Sequence, residues 1–138
     1  MRYYLDTNIL VFILLKSEDD ISSKVSDLLE DYVNVFYVSS IVIMELLLLF
    51  RIGKLTNKRY KSEDDLVNEI KMLGIEIVYF NEYHLSKYQK LTIVDEHKDM
   101  NDHAIIAQAI ADKISLISSD SKFKLYALQG LNFIFNKR

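Results

Sequence analysis

The chain has 138 residues, half of them hydrophobic and 27% charged, the size and composition of one folded domain over residues 1–138. It contains no cysteine, which excludes disulfides, thiolate zinc sites, iron–sulfur clusters and a cysteine nucleophile. A phosphate-binding glycine loop is excluded too, because Gly53-Lys54 has Leu48 at the first glycine position and Leu55 where Ser or Thr is required. The net charge of −3 argues, on balance alone, against a nucleic-acid partner.

Short β-favouring runs alternate with helical stretches along the chain. Tyr3–Leu5 reads as the first strand, followed by Asp6-Thr7-Asn8 and the apolar helical run Ile9–Leu15. That run and Ile41–Phe50 fall short of the ~20 residues of a membrane span. Asp6 precedes the first of them and no small-residue cleavage site follows, so no signal peptide is expected and the expected location is the cytoplasm. Ile21–Asp31 has helical apolar spacing, and Val35–Val38 reads as a second strand. Ser39-Ser40 then opens an apolar helix broken only by Glu45. Leu46–Phe50 is apolar on all sides, so part of this helix is expected to pack beyond its own core, against a second copy or a partner segment. Ser62–Leu73 opens with Ser62 and Asp65 in a capping-box pattern. Ile75–Tyr79, Ile114–Ile117 and Asn132–Phe135 read as further strands, and Asn101–Ala111 as a helix. Strands alternating with helices imply βαβ units and a parallel sheet covered on both faces.

In such sheets, ligands bind beyond the carboxyl ends of the strands. The polar residues expected there are Asp6 after the first strand, Glu45 on the helix after the second, and Ser118-Ser119-Asp120 after the fourth. Asp102 opens the helix leading into that fourth strand. Each acid also has an ordinary reading: Asp6, Asp102 and Asp120 as cap or helix-start residues, with Asn8 an equally good cap in place of Asp6, and Glu45 as the partner of a cation within the chain. Glu45 is the most informative, because a carboxylate in an apolar helix costs several kcal/mol unless paired, protonated or metal-bound. Crowded carboxylates cannot all stay ionised without a cation, and at least one is expected to hold its proton near neutrality. Hard oxygen ligands at one edge suit Mg²⁺ or Mn²⁺. His84, His97 and His103 show no metal-ligand spacing and read as surface or half-buried residues. Arg51, Lys54, Lys58, Arg59 and Lys61, with Tyr60 among them, read either as a solvated helix end or as a phosphate-contacting patch.

The ordered set Asp6-Thr7-Asn8, Glu45, Asp102 within Asp-His-Ala-Ile-Ile-Ala-Gln-Ala after His97-Lys98-Asp99, and Leu116-Ile117-Ser118-Ser119-Asp120 with Phe123 resembles a PIN domain. More narrowly, it is similar to the VapC-type toxins of bacterial toxin–antitoxin pairs. The family often reads Pro-Phe-Asp-Arg where this chain has Met100-Asn101-Asp102-His103, a departure that removes a neighbouring arginine but keeps the acid. The resemblance implies a three-layer α/β/α fold around a parallel sheet of about five strands. It implies an Mg²⁺- or Mn²⁺-dependent endoribonuclease with metal ligands Asp6, Glu45, Asp102 and Asp120, supported by Asn8 and Ser118. It also implies an RNA substrate, an antitoxin partner and a homodimer. Two alternatives within the fold are a housekeeping RNA-processing nuclease and a catalytically silent interaction module. Rival enzyme classes fit less well. Haloacid-dehalogenase-like phosphatases need Asp at position 8, where this chain has Asn8. Response-regulator receivers need an Asp after the third strand, where this chain has Phe80-Asn81-Glu82.

Overall fold

The computed structural model describes residues 1–55 and 59–138. Its centre is a five-stranded, all-parallel sheet made of β1 (Arg2–Leu5), β2 (Val35–Ser39), β3 (Glu76–Val78), β4 (Ser115–Ser118) and β5 (Phe133–Phe135), in the order β3-β2-β1-β4-β5. The central strand β1 and its neighbour β4 carry the most buried runs. Tyr3, Tyr4 and Leu5 of β1 and Leu116 and Ile117 of β4 are buried, as strands covered on both faces must be.

The connecting helices are α1 (Thr7–Leu14), α2 (Ser23–Glu30), α3 (Ser40–Arg51), α4 (Glu63–Met72), α5 (Glu82–Lys90) and α6 (Met100–Asp112). Short 3-10 segments cover Glu18–Asp20 and Ser121–Gln129. From β1 the chain steps outward to β2 and β3, then jumps back across the sheet to β4 and outward again to β5. Right-handed crossovers therefore place α1 to α4 on one face and α5 and α6 on the other, giving three layers. Within those layers α1 packs on α3 and α5 on α6. The order in which the chain adds strands reverses between β1 and β4, which makes that gap the switch point where such sheets bind ligands.

Several local expectations need correction. Asn8 does not cap α1; it lies inside the helix, and Asp6 is the cap, its side chain accepting from Thr7 N–H. Ser62 caps α4 as expected, accepting from Asp65 N–H. The reciprocal bond does not close on Ser62, however: Asp65 accepts from Lys61 N–H, one residue earlier. A complete capping box occurs instead at the start of α5. There Asn81 accepts from Tyr83 and His84 N–H, and His84 Nδ1 accepts from Asn81 N–H. The three histidines are buried rather than at the surface. Tyr60 is buried as well, so its ring is not a stacking platform beside the basic residues.

Candidate active site

The site begins at the end of β1. Asp6 N–H donates to Ile117 O at 2.9 Å, extending the β1–β4 pairing one residue past the strand and holding Asp6 in the switch-point gap. Its Oδ1 accepts from Thr7 N–H at 2.8 Å. Its Oδ2 accepts from the Ser118 hydroxyl at 2.6 Å and from Asn8 Nδ2 at 3.2 Å. Asn8 Oδ1 accepts from Ser119 N–H at 3.1 Å, and Ser118 Oγ accepts from Asp120 N–H at 3.0 Å. Asn8 and Ser118 thus stitch the turn after β1 to the turn after β4.

Three further acids converge on this seam. Glu45 lies on α3, and its Oε1 accepts from the Thr7 hydroxyl at 3.0 Å. Asp102 sits in the first turn of α6, whose cap Asp99 accepts from Asp102 N–H at 3.0 Å. Asp102 Oδ2 lies 2.9 Å from His97 Nε2. Asp120 caps the 3-10 segment by accepting from Lys122 N–H at 2.9 Å. Asp6, Glu45, Asp102 and Asp120, together with Asp99, line one cleft of about 450 Å³. Its apolar wall is Val11, Phe12 and Leu49, and Arg138 stands at its edge with its guanidinium 4.8 Å from the Phe12 ring centre and 3.0 Å from Asp20.

The electrostatics follow from that crowding. Burial, reinforced by the charges of Asp102 and Glu45, pushes the Asp6 carboxyl up to about 7 against the lowering bonds from Ser118 and Thr7. Burial likewise raises Glu45, with Asp102 and Asp99 adding to it and the Thr7 bond opposing. Asp102 is raised by burial and by Asp99 and Asp120, and held down in part by His97. Neighbouring carboxylates thus make Asp6, Glu45 and Asp102 harder to ionise, so the cleft stores repulsion that a cation relieves. The donor set fits a hard divalent ion: carboxylate oxygens predominate, and among the described residues ligand atoms of His97, Asp102 and Asp120 lie within 4.8 Å of one another. Asp6 and Glu45 line the same cleft but stand outside that tightest group.

The basic residues lie elsewhere. Arg51 pairs with Glu63 at 2.7 Å and Arg59 with Glu69 at 3.0 Å, both acids belonging to α4. Lys54 and Lys61 are exposed, and Lys58 lies outside the described residues. None of the four described residues lines the cleft. Thr7, Asp99 and His97 are site residues not foreseen as such in the sequence. Thr7 and Asp99 were within reach of sequence reasoning, as the residue beside Asp6 and the residue three before Asp102. His97 carries no spacing signal.

The fold has relatives among solved structures. No curated protein matches the chain. Among solved structures, it is similar to a chain of VapBC2 from Rickettsia felis bound to a DNA fragment from their promoter, at 26% identity over 99% of this chain and 100% of that one, with a TM-score of 0.71. VapBC-1 from nontypeable Haemophilus influenzae shares the fold at 23% identity over 98% of each chain, with a TM-score of 0.63. So does DNA-bound VapBC from Salmonella typhimurium, at 16% identity over 98% of each chain, with a TM-score of 0.65. The PIN domain model matches residues 3–128, a span that holds all four predicted acids, so the chain belongs to the PIN domain family.

Proposed function

We propose that this protein is a divalent-metal-dependent endoribonuclease and the toxin of a type II toxin–antitoxin pair, acting as a single PIN domain in the cytoplasm. The observation that carries the reading is the convergence of Asp6, Glu45, Asp102 and Asp120 on one cleft at the switch point, with three of the four carboxyls pushed up. Its family membership and its likeness to the Rickettsia felis complex support the toxin role.

Asp6, Glu45, Asp102 and Asp120 would hold Mg²⁺ or Mn²⁺, with Asp6 and Asp102 as ligands of the water-activating ion. When bound, such an ion supplies Lewis acidity, acidifying water and neutralising charge that builds on the phosphate. The chain's own residues do the positioning. Ser118 and Asn8 fix Asp6, and Thr7 fixes Glu45. Arg138 in the cleft lining offers a cation to an RNA phosphate, and the basic run of Arg51, Lys54, Lys58, Arg59 and Lys61 would contact phosphates further along the same strand. On α3, Met44, Leu48 and Ile52 are exposed at four-residue spacing, an apolar stripe for an antitoxin segment or a second copy.

The test is cleavage of RNA by purified protein with Mn²⁺ or Mg²⁺. Wild type should cut and Asp102→Asn should not. Full cleavage by Asp102→Asn would overturn the assignment. Sedimentation and co-purification with the product of a neighbouring gene test the partner: a protein that stays monomeric at high concentration and binds no such product counts against it.

A further inference from the structure

Behind Asp102 lies a buried chain of polar rings that the cleft acids do not account for. His97 Nε2 is 2.9 Å from Asp102 Oδ2, and His97 Nδ1 is 3.0 Å from the Tyr126 hydroxyl. The same hydroxyl is 2.9 Å from Nε2 of His103, the residue next to Asp102 on α6. The three rings brace one another nearly edge-on, with centroids 5.1 to 5.7 Å apart. The turn that delivers His97 is a costly one. Asp95 and Glu96 both take positive φ, 48° and 59°, so that His97 N–H reaches Val94 O at 2.9 Å.

Proton counting fixes the direction of the chain. An ionised Asp102 only accepts, so His97 Nε2 carries hydrogen. With one ring hydrogen, His97 then accepts at Nδ1, and Tyr126 has a single hydrogen to donate there. His103 Nε2 must in turn donate to the Tyr126 oxygen. Every contact is satisfied by one tautomer of each histidine, and Asp102 Oδ1 accepts no hydrogen bond among the described residues.

We propose that His97, Tyr126 and His103 form a positioning relay that fixes one oxygen of Asp102 and presents the other to the divalent ion, with His97 acting as hydrogen donor and not as metal ligand. The inference rests on the reading of Asp102 as a ligand. The rival is direct ligation by His97, whose ring nitrogen is among the three atoms within 4.8 Å.

Calorimetric titration of the metal-free protein with MnCl₂ and with MgCl₂ separates the two. In the relay, His97→Ala weakens both ions alike, by roughly 10–100-fold, the usual cost of losing an outer partner. His97→Gln, whose amide N–H replaces the imidazole N–H, restores most of that affinity, and Tyr126→Phe lies between. Direct ligation predicts that Gln is as damaging as Ala and that Mn²⁺ suffers far more than Mg²⁺, since imidazole favours the transition metal. Either result overturns the relay. Should His97→Ala fail to fold, nitrogen NMR of wild type decides: hydrogen at His97 Nε2 and none at Nδ1, with and without Mg²⁺, is expected, and loss of the Nε2 hydrogen on adding Mg²⁺ refutes it. If Asp102→Asn binds ions as tightly as wild type, or wild type binds none, the nuclease reading itself falls, an outcome distinct from failure of the relay alone.

Discussion

Two histidine–aspartate pairs mark the two ends of α6, each joining a buried histidine to a half-buried aspartate of that helix, and they differ in what is left over. At the far end, His84 Nε2 lies 3.0 Å from both oxygens of Asp112, and Tyr4 donates to Asp112 Oδ2 at 2.6 Å. His84 Nδ1 is occupied by the Asn81 N–H, and Gln108 donates to the Tyr4 oxygen and to Val78 O. Burial and the Asp112 bond push the Tyr4 phenol up, so it keeps its hydrogen as a donor. Every group in this cluster is spent. At the near end, His97 takes one oxygen of Asp102 and leaves the other, while Asp99 and Asp120 raise its carboxyl. A histidine–aspartate pair that closes on itself is a fastener, and one that leaves an oxygen facing other acids is a site.

The largest expected effect tests that distinction directly. Asp102→Asn should abolish divalent-dependent RNA cleavage with little loss of stability. Asp112→Asn should keep cleavage within a few-fold but lose about 1–3 kcal/mol, because His84 and Tyr4 are left with a poorer acceptor. Cleavage assays and urea melts on both variants read this out, and the reverse pattern would break the comparison.

Next in size is the repulsion stored in the cleft. A carboxyl raised from 3.8 to about 7 binds more protons folded than unfolded between those values. The fold therefore loses stability as pH rises through that window, and the loss is complete above it. Asp6→Asn carries no such charge. Without metal it should be more stable than wild type by on the order of 1–3 kcal/mol at pH 8, with the advantage shrinking as pH falls toward 4. An advantage over wild type that is equal at both pH values would mean that burial and the neighbouring charges do not raise the Asp6 carboxyl. Mn²⁺ should raise the melting temperature of wild type by mass action and that of Asp6→Asn by less. The same ion should shift Asp112→Asn as much as wild type.

How far the sequence carries is clearest in the same two clusters. The strands were legible because inner parallel strands are short unbroken apolar runs. The four acids stood out because Asp6 and Asp120 come just after strands, Asp102 opens a helix, and Glu45 interrupts an apolar one. The cap readings of Asp6 and Asp120 hold in the structure: one Asp6 oxygen caps α1 while the other turns to Ser118, and Asp120 accepts from Lys122 N–H. The histidine clusters were not legible. His97 reaches Asp102 across a turn of two non-glycine residues at positive φ, which no propensity favours. His84 and Asp112 meet only when α5 packs on α6. Asn136 is a similar case: it accepts from Ser22 N–H at 2.7 Å and donates to Asp20 O at 2.8 Å and Ser119 Oγ at 2.7 Å, bracing the turn after β4 from 16 or more residues away.

The smallest effect sharpens the fastener end. Lys113 caps α6 in the left-handed region at φ 56°, one residue past Asp112, and is exposed. Lys113→Gly should add about 0.5–1 kcal/mol by relieving that conformation, with cleavage unchanged. A thermal melt checks it.

The strand order also sets a schedule for synthesis. Tyr3 of β1 pairs with Phe36 of β2 on one side and Ser115 of β4 on the other. The first partner emerges from the ribosome soon after β1, whereas the second follows at roughly 5–20 residues per second and arrives many seconds later. Until then the switch-point gap has one wall, Asp6 lacks Ser118, and Asp120 has not been made. A growing chain of this protein should therefore be harmless to the RNA around it, including its own message, until nearly all of it exists. Ribosome-bound chains ending before β4 should cut no RNA, and cleavage by such chains would contradict this timing.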